Sequence, residues 1–347
     1  MTASVFDHPY LSGHLGDEEI SAFFSAETDI RAMLAFETAL AQAEAEHGIV
    51  SKQSAARIAG TCATFQPDVL ALRHAVAADG VVIPELVRQL RKAVGGDAAE
   101  KVHFGATSQD VIDTSLMLRL KAASAVLSDR LSQLLDMFGK LDTDYGSNHL
   151  MAHTRMQAAI PITVADRLAA WSRPLADYRK RLNATAFPLQ FGGAAGTLDK
   201  LGDKADAVRA ALAGNLELSD TPQWQSQRAI IADLAHLLSL ISGSLGKFGQ
   251  DIALLAQAGD EIALSGGGGS SAMPHKQNPV AAETLVSLAR FNAVQLSAIH
   301  QSMVHEQERS GAAWTLEWMI LPQLVIACGA STRLASTLVG QIERLGG

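Results

Sequence analysis

Apolar residues recur at every third or fourth position over two unusually long runs. The first reads Ile112, Leu116, Leu120, Ala123, Leu127, Leu131, Leu134, Phe138 and Leu141. The second reads Ile230, Leu234, Leu237, Ile241, Leu245, Phe248, Ile252 and Leu255. Such a stripe belongs to a helix that buries one face. Proline, which costs about 3 kcal/mol inside a helix, is absent from Glu85 to Ile160 and again from Gln223 to Met273. These lengths exceed the ordinary helix of about 11–12 residues, and strand-like alternation is scarce. An all-α fold built as an elongated bundle is predicted. Neither stripe keeps a strict heptad with flanking charges, which sets a coiled coil aside. Gly243, Gly246 and Gly249 in the second run predict close approach of neighbouring helices.

Shorter helices precede the bundle. Thr28-Asp29 is suited to cap a helix from Ile30 to about Glu46, stopped by Gly48; a second covers roughly Ser51 to Gly60. Pro84 opens a third that ends at Gly95-Gly96. That glycine pair marks the expected boundary between an N-terminal helical domain, 1–96, and a central long-helix domain, 97–347, carrying the candidate chemistry.

The charge balance narrows the function. With 28 basic against 36 acidic residues in 347, the net charge of −8 argues against nucleic acid or an anionic membrane as partner. Two cysteines, Cys62 and Cys328, exclude a disulfide-dense design and CxxC zinc sites. Met1 to Asp7 lacks the basic start and apolar run of a secretory signal. The uncharged stretch Leu182 to Leu198 contains Asn183, Pro188, Gln190 and three glycines and is not expected to span a bilayer. A soluble, cytoplasmic protein is expected.

Three segments interrupt the helical pattern with small hydrogen-bonding residues. His103 to Asp110 precedes the first long helix. Thr107 or Ser108 can cap that helix, with Asp110 as capping-box partner, and its exposed N–H groups can hold a carboxylate. The second is His153-Thr154-Arg155-Met156-Gln157. The third runs from Gly266 through Ser270, Ser271, Met273, His275, Lys276 and Asn278 to Pro279. Four glycines give it freedom and two prolines bar a continuing helix, as suits a loop that closes on a substrate. It matches neither GxxxxGK[ST] nor GxSxG. Arg309 stands where a zinc-protease helix starting at His305-Glu306 would need histidine. Asp110 and Asp113 share a helix face without an oxygen-ligand cluster, so solvated cap carboxylates are expected and no metal.

Gly269 to Pro279 resembles the G-S-S-x-M-P-x-K-x-N-P signature of the fumarase/aspartase superfamily at every fixed position. His103 to Asp110 and Thr154 to Gln157 resemble its first and second substrate segments. The resemblance covers roughly residues 20–345. It implies a homotetramer of long-helix bundles in which each site draws its three segments from three subunits. It also implies a C-terminal helical domain of about a hundred residues, which a chain ending at Gly347 is expected to lack. Gly105 to Thr114 and His305 to Arg309, with Trp314, Glu317 and Trp318, look like the muconate-lactonizing branch. The adenylosuccinate-cleaving branch is the competitor, but it carries histidine where this chain has Arg155, and a guanidinium does not titrate near neutrality. Glu283 matches the glutamate that orients that histidine, so Arg155 is expected either to contact Glu283 or to hold a substrate anion.

The resemblance further implies Ser270 and Lys276 as catalytic residues, either of which can transfer the proton. Substrate binding falls to His103, Thr107, Ser108, Gln109, Arg155, Gln157, Ser271, Met273 and Asn278. Arg228, in a segment resembling one near the site, is open between substrate and structural roles. The expected substrate is a small polycarboxylate, with no cofactor.

Overall fold

A computed structural model describes residues 4–269, 273 and 277–347. Short helices α1 (Ser12–Leu15) and α2 (Glu18–Ala22) lead into α3 (Ala26–Glu46), α4 (Lys52–Cys62), α5 (Val69–Asp79) and α6 (Ile83–Val94). The long α7 (Ser108–Tyr145) then gives way to a hairpin of β1 (His149–Thr154) and β2 (Gln157–Thr163). Helices α8 (Val164–Asn183), α9 (Ala205–Asn215) and α10 (Ala229–Ala258) follow. Strand β3 (Ile262–Leu264), α11 (Val280–Gln301), α12 (Gly311–Gly340) and β4 (Ile342–Leu345) complete the order.

Local chemistry sets several boundaries. The Ser25 hydroxyl accepts from Thr28 N–H at 3.2 Å, so α3 begins a turn before the expected Thr28-Asp29 cap. Ser51 caps α4 in the same way, accepting from Ser54 N–H at 3.0 Å. Pro84 lies in the first turn of α6, and Gly95, with φ of +61°, ends it.

Helices α7, α10, α11 and α12 pack as the bundle core, and the predicted stripes are buried from Leu120 to Phe138 and from Leu234 to Ile252. Two of the three α10 glycines fit the close-approach expectation. A Cβ on Gly246 would lie 2.4 Å from that of Ala289, and one on Gly249 would lie 2.6 Å from the Ala282 carbonyl, both on α11. Gly243 has nothing within 4 Å of such an atom and does not serve packing within the chain. Helices α10 and α12 are long and apolar enough to cross a membrane, a property absent from the 182–198 stretch. Half or more of each apolar window is buried against neighbours, as in core helices of a soluble bundle.

The all-α expectation needs one correction. Two small antiparallel sheets, β1–β2 and β3–β4, occupy one end of the bundle. The turn of the first is Arg155-Met156, with φ of +48° and +64°; positive φ at both central residues matches the twist of a two-residue hairpin. Glu261 joins the sheets: its Oε1 accepts from Met151 N–H at 2.6 Å and its carbonyl from Gly346 N–H at 2.7 Å.

Candidate active site

The start of α7 is built by its own residues. Thr107 is extended, at φ −131° and ψ 166°, and Asp110 Oδ2 reaches back to accept its N–H at 3.0 Å, as the capping pattern predicts. The same carboxylate accepts from Gly192 N–H at 2.8 Å, Gly193 N–H at 2.9 Å and Gln190 Nε2 at 3.1 Å. Asp110 is thus the anchor of the 190–193 loop and not a solvated cap. Burial pushes its carboxyl up to about 6, against the four donors that hold the ionised form.

Thr107, Ser108 and His103 open onto a cavity of about 460 Å³ whose far wall includes Arg88 and Arg91 of α6. Ser108 also borders a second cavity of about 690 Å³ with Arg309, Ser310, Trp314 and Trp318. Arg88 is held by Glu85 through two hydrogen bonds of 2.6 Å. That leaves Arg91, without an acidic partner among the described residues, as the cation beside the N–H groups of the helix start that suits an anion. His103 sits in left-handed backbone, φ +63°, and its Nδ1 donates to Glu37 Oε1 at 2.6 Å.

Behind this surface lies a buried charge cluster. Arg228, 1% exposed, donates from Nη1 to Asp113 Oδ2 at 2.6 Å and from Nη2 to Glu317 Oε1 at 2.6 Å. Its guanidinium lies 4.5 Å from the Trp224 ring centre, and Trp314 Nε1 donates to Asp113 Oδ1 at 3.0 Å. Burial works against the Arg228 charge, but the two carboxylates more than offset it and raise its pKa. Burial pushes Glu317 upward in spite of Arg228. Gln109 is also buried: Nε2 donates to Asp113 and to the Gln225 carbonyl, while Oε1 accepts from Arg309 Nε at 3.0 Å. Both ring nitrogens of His305 are buried without partners among the described residues; burial, then Arg228, lowers its pKa.

The other two segments lie at the opposite end. Arg155 and Met156 form the exposed hairpin tip, and Gln157 pairs with Thr154 beside it. No ion pair joins Arg155 to Glu283 within the chain among the described residues. At the glycine-rich loop, Gly268 and Asn278 exchange N–H···O bonds of 2.9 Å in both directions, closing its base. Freedom is not the only use of its glycines. A Cβ on Gly268 would lie 2.4 Å from Val280 Cγ2, one on Gly267 would lie 3.0 Å from the Asn278 carbonyl, and Gly266 has φ of +70°. Met273 is 43% exposed. Ser270, Ser271 and Lys276 lie outside the described residues.

Within one chain, then, His103, Thr107 and Ser108 share a cleft, whereas Arg155 and Gln157 on the hairpin and Asn278 at the loop base lie apart from it, toward the far end of α7. That helix has 38 residues, or roughly 57 Å at 1.5 Å per residue. Gln109, expected at the ligand, and Arg228, open between ligand and structure, are both enclosed by protein partners behind the helix start. Sequence reasoning missed Glu37, Arg88 and Arg91, which carry no local motif; Arg309 stood out in it only against a zinc-protease helix and within the family resemblance.

A family profile described as lyase matches residues 7–292. The 3-carboxy-cis,cis-muconate cycloisomerase of Pseudomonas aeruginosa is 40% identical over 333 residues, 93% of this chain and 72% of that protein. The N-acetyl-S-(2-succino)cysteine lyase of Enterococcus italicus is 33% identical, covering 99% and 77%. The crystal structure of the 3-carboxy-cis,cis-muconate lactonizing enzyme from Pseudomonas putida superposes with a TM-score of 0.91 at 36% identity, over 96% of this chain and 77% of that one. By profile, sequence and fold together, the chain belongs to the lyase family of the fumarase/aspartase superfamily.

Proposed function

We propose that the chain is a cycloisomerase that closes 3-carboxy-cis,cis-muconate, or a muconate with another anionic 3-substituent, to its muconolactone. The observation that carries this reading is the agreement in sequence and fold with 3-carboxy-cis,cis-muconate cycloisomerases over nearly the whole chain. One substrate carboxylate oxygen bonds to a carbon of the double bond, and the π electrons move toward the neighbouring carbon. Negative charge spreads onto the carboxylate attached there until that carbon takes a proton. The anion gains that one proton and its lactone carries one negative charge fewer, so the two are isomers when counted as neutral acids.

The protein's task is to stabilise the charge on those carboxylate oxygens, where a single oriented donor contributes about 2.7–4 kcal/mol. Thr107, Ser108, Asn278 and Lys276 take that role in our reading, with the proton delivered by Ser270 or Lys276. Arg155, His103, Gln157, Ser271 and Met273 bind and orient the polyanion. Gln109 and Arg228 act from behind, holding the start of α7. No cofactor is invoked. The net charge of −8 makes local cations decisive for holding such a substrate.

A site shared between chains of a homotetramer is part of the proposal. It is supported by the separation of the three segments and by the exposed Met156 and Ile160 on the hairpin, 73% and 64% accessible. The division at Gly95-Gly96 into 1–96 and 97–347 and a cytoplasmic setting complete the reading. Loss of muconate ultraviolet absorbance on adding protein tests it directly. Turnover is expected, and Lys276→Met is expected to abolish it. Residual activity within tenfold in that variant removes Lys276 from the chemistry. Fumarate release from adenylosuccinate, with muconate untouched, replaces the reaction.

A further inference from the structure

Glu37 lies in the middle of α3, 2% exposed, and spends one oxygen on His103. Its Oε2 is buried with no partner among the described residues. Glu44, two turns along the same helix, is fully buried with both oxygens in that state. Burial, then the Glu37 charge, pushes the Glu44 carboxyl up to about 8. Packing does not call for such a pair, because a buried carboxylate with an idle oxygen costs stability that an aliphatic side chain would not. What Glu37 does accomplish is geometric. His103, 66 residues away in sequence, is held in strained left-handed backbone with Nδ1 on Glu37. Its Nε2 has no partner among the described residues, and the ring lines the cleft with Thr107 and Ser108.

We propose that Glu37 is a positioning residue, which fixes a proton on Nδ1 of His103 and aims Nε2 into the cleft at a carboxylate of the substrate. The inference rests on the reading above that His103 is a substrate ligand. A ring protonated on both nitrogens donates from Nε2 to that carboxylate while Glu37 supplies the opposing charge. The surroundings are mixed in sign. Glu44 lies beside Glu37 on α3, and the Cys62 thiol faces Glu37 from α4. Lys101 stacks at 5.9 Å on Phe104, next to His103, and Arg88 and Arg91 face the same cavity from α6.

The test compares Glu37→Gln, which keeps the acceptor but not the charge, with Glu37→Leu, which keeps neither. For 3-carboxymuconate, KM is expected to rise at least threefold in the first and tenfold in the second. In both, kcat should stay within threefold and Tm should not fall. Adding Glu37→Leu to His103→Ala should change nothing further. KM within twofold of the parent in both variants, or full additivity in the double variant, overturns the inference. Nitrogen-15 spectra of histidine-labelled protein, assigned with His103→Ala, read the ring without turnover. An Nδ1–H signal that persists unchanged in Glu37→Leu overturns the inference even if the parent acts on a different substrate. Absence of muconate turnover with that signal lost in Glu37→Leu sinks only the proposed reaction.

Discussion

Arg228 and Asp113 meet at 2.6 Å with both side chains buried, which ties the entry to α10 to the first turns of α7. Glu317 of α12 holds the other side of the guanidinium, also at 2.6 Å. Three long helices are therefore registered at the end that carries Thr107 and Ser108.

Removing the cation from this cluster leaves two buried carboxylates facing each other. Arg228→Met is expected to cost about 3–5 kcal/mol in urea unfolding. Arg228→Lys should recover little, because an ammonium lacks the planar fork that serves two carboxylates. The triple change Arg228→Met, Asp113→Leu and Glu317→Met should return most of the loss. A triple variant as unstable as Arg228→Met would show that the cluster does more than balance charge.

The α10 glycines should separate by position. Gly243→Ala is expected to stabilise by about 0.5–1 kcal/mol, since it removes backbone freedom from the unfolded chain and meets no neighbour. Gly246→Ala and Gly249→Ala should each destabilise by about 1–3 kcal/mol through overlap with α11. Thermal unfolding of the three variants checks the order.

Glu44 gives stability a specific pH dependence. Its carboxyl is raised from 4.5 to about 8 in the folded chain, chiefly by burial. The folded state keeps a proton that the unfolded state releases, so this contribution is intact below about pH 4.5 and is lost as pH rises through about 8. Glu44→Gln, which cannot ionise, should exceed the parent by about 2–4 kcal/mol near pH 8.5 and match it near pH 4.5. Equal stability of the two proteins across that range would contradict the burial argument.

Arg155 stands at a hairpin tip with no ion-pair partner among the described residues, as suits a group that reads charge on a ligand. Arg155→Ala should lower kcat/KM about tenfold or more for a tricarboxylate muconate, in line with about 1.5–3 kcal/mol for a hydrogen bond to a charged group. The unsubstituted dicarboxylate should be affected much less. Equal losses on both substrates would assign Arg155 a role other than reading the substituent.

Much of the architecture was legible because its causes are local. The stripes from Ile112 to Leu141 and from Ile230 to Leu255 marked α7 and α10, since burial of one face repeats with the helical turn. The Thr107–Asp110 cap was legible because its partners are three residues apart. The β1–β2 hairpin was not: its second strand is exposed along most of its length and shows no alternation of apolar and polar residues. Asp110 and Asp113 were read as solvated for a related reason. Gly192, Gly193 and Arg228, which enclose them, come from more than 75 residues away.

The amino-acid order by itself determined the long helices, the glycine-rich loop and the residue types available to hold an anion. Tertiary structure decided that Arg228 and Gln109 are enclosed by protein partners, that Glu37 stands behind His103, and that the three segments lie at opposite ends of one chain. The physical reason is range. Helix periodicity and caps are settled among residues within a turn or two, whereas a buried charge takes its meaning from whichever partner folding brings within about 3 Å.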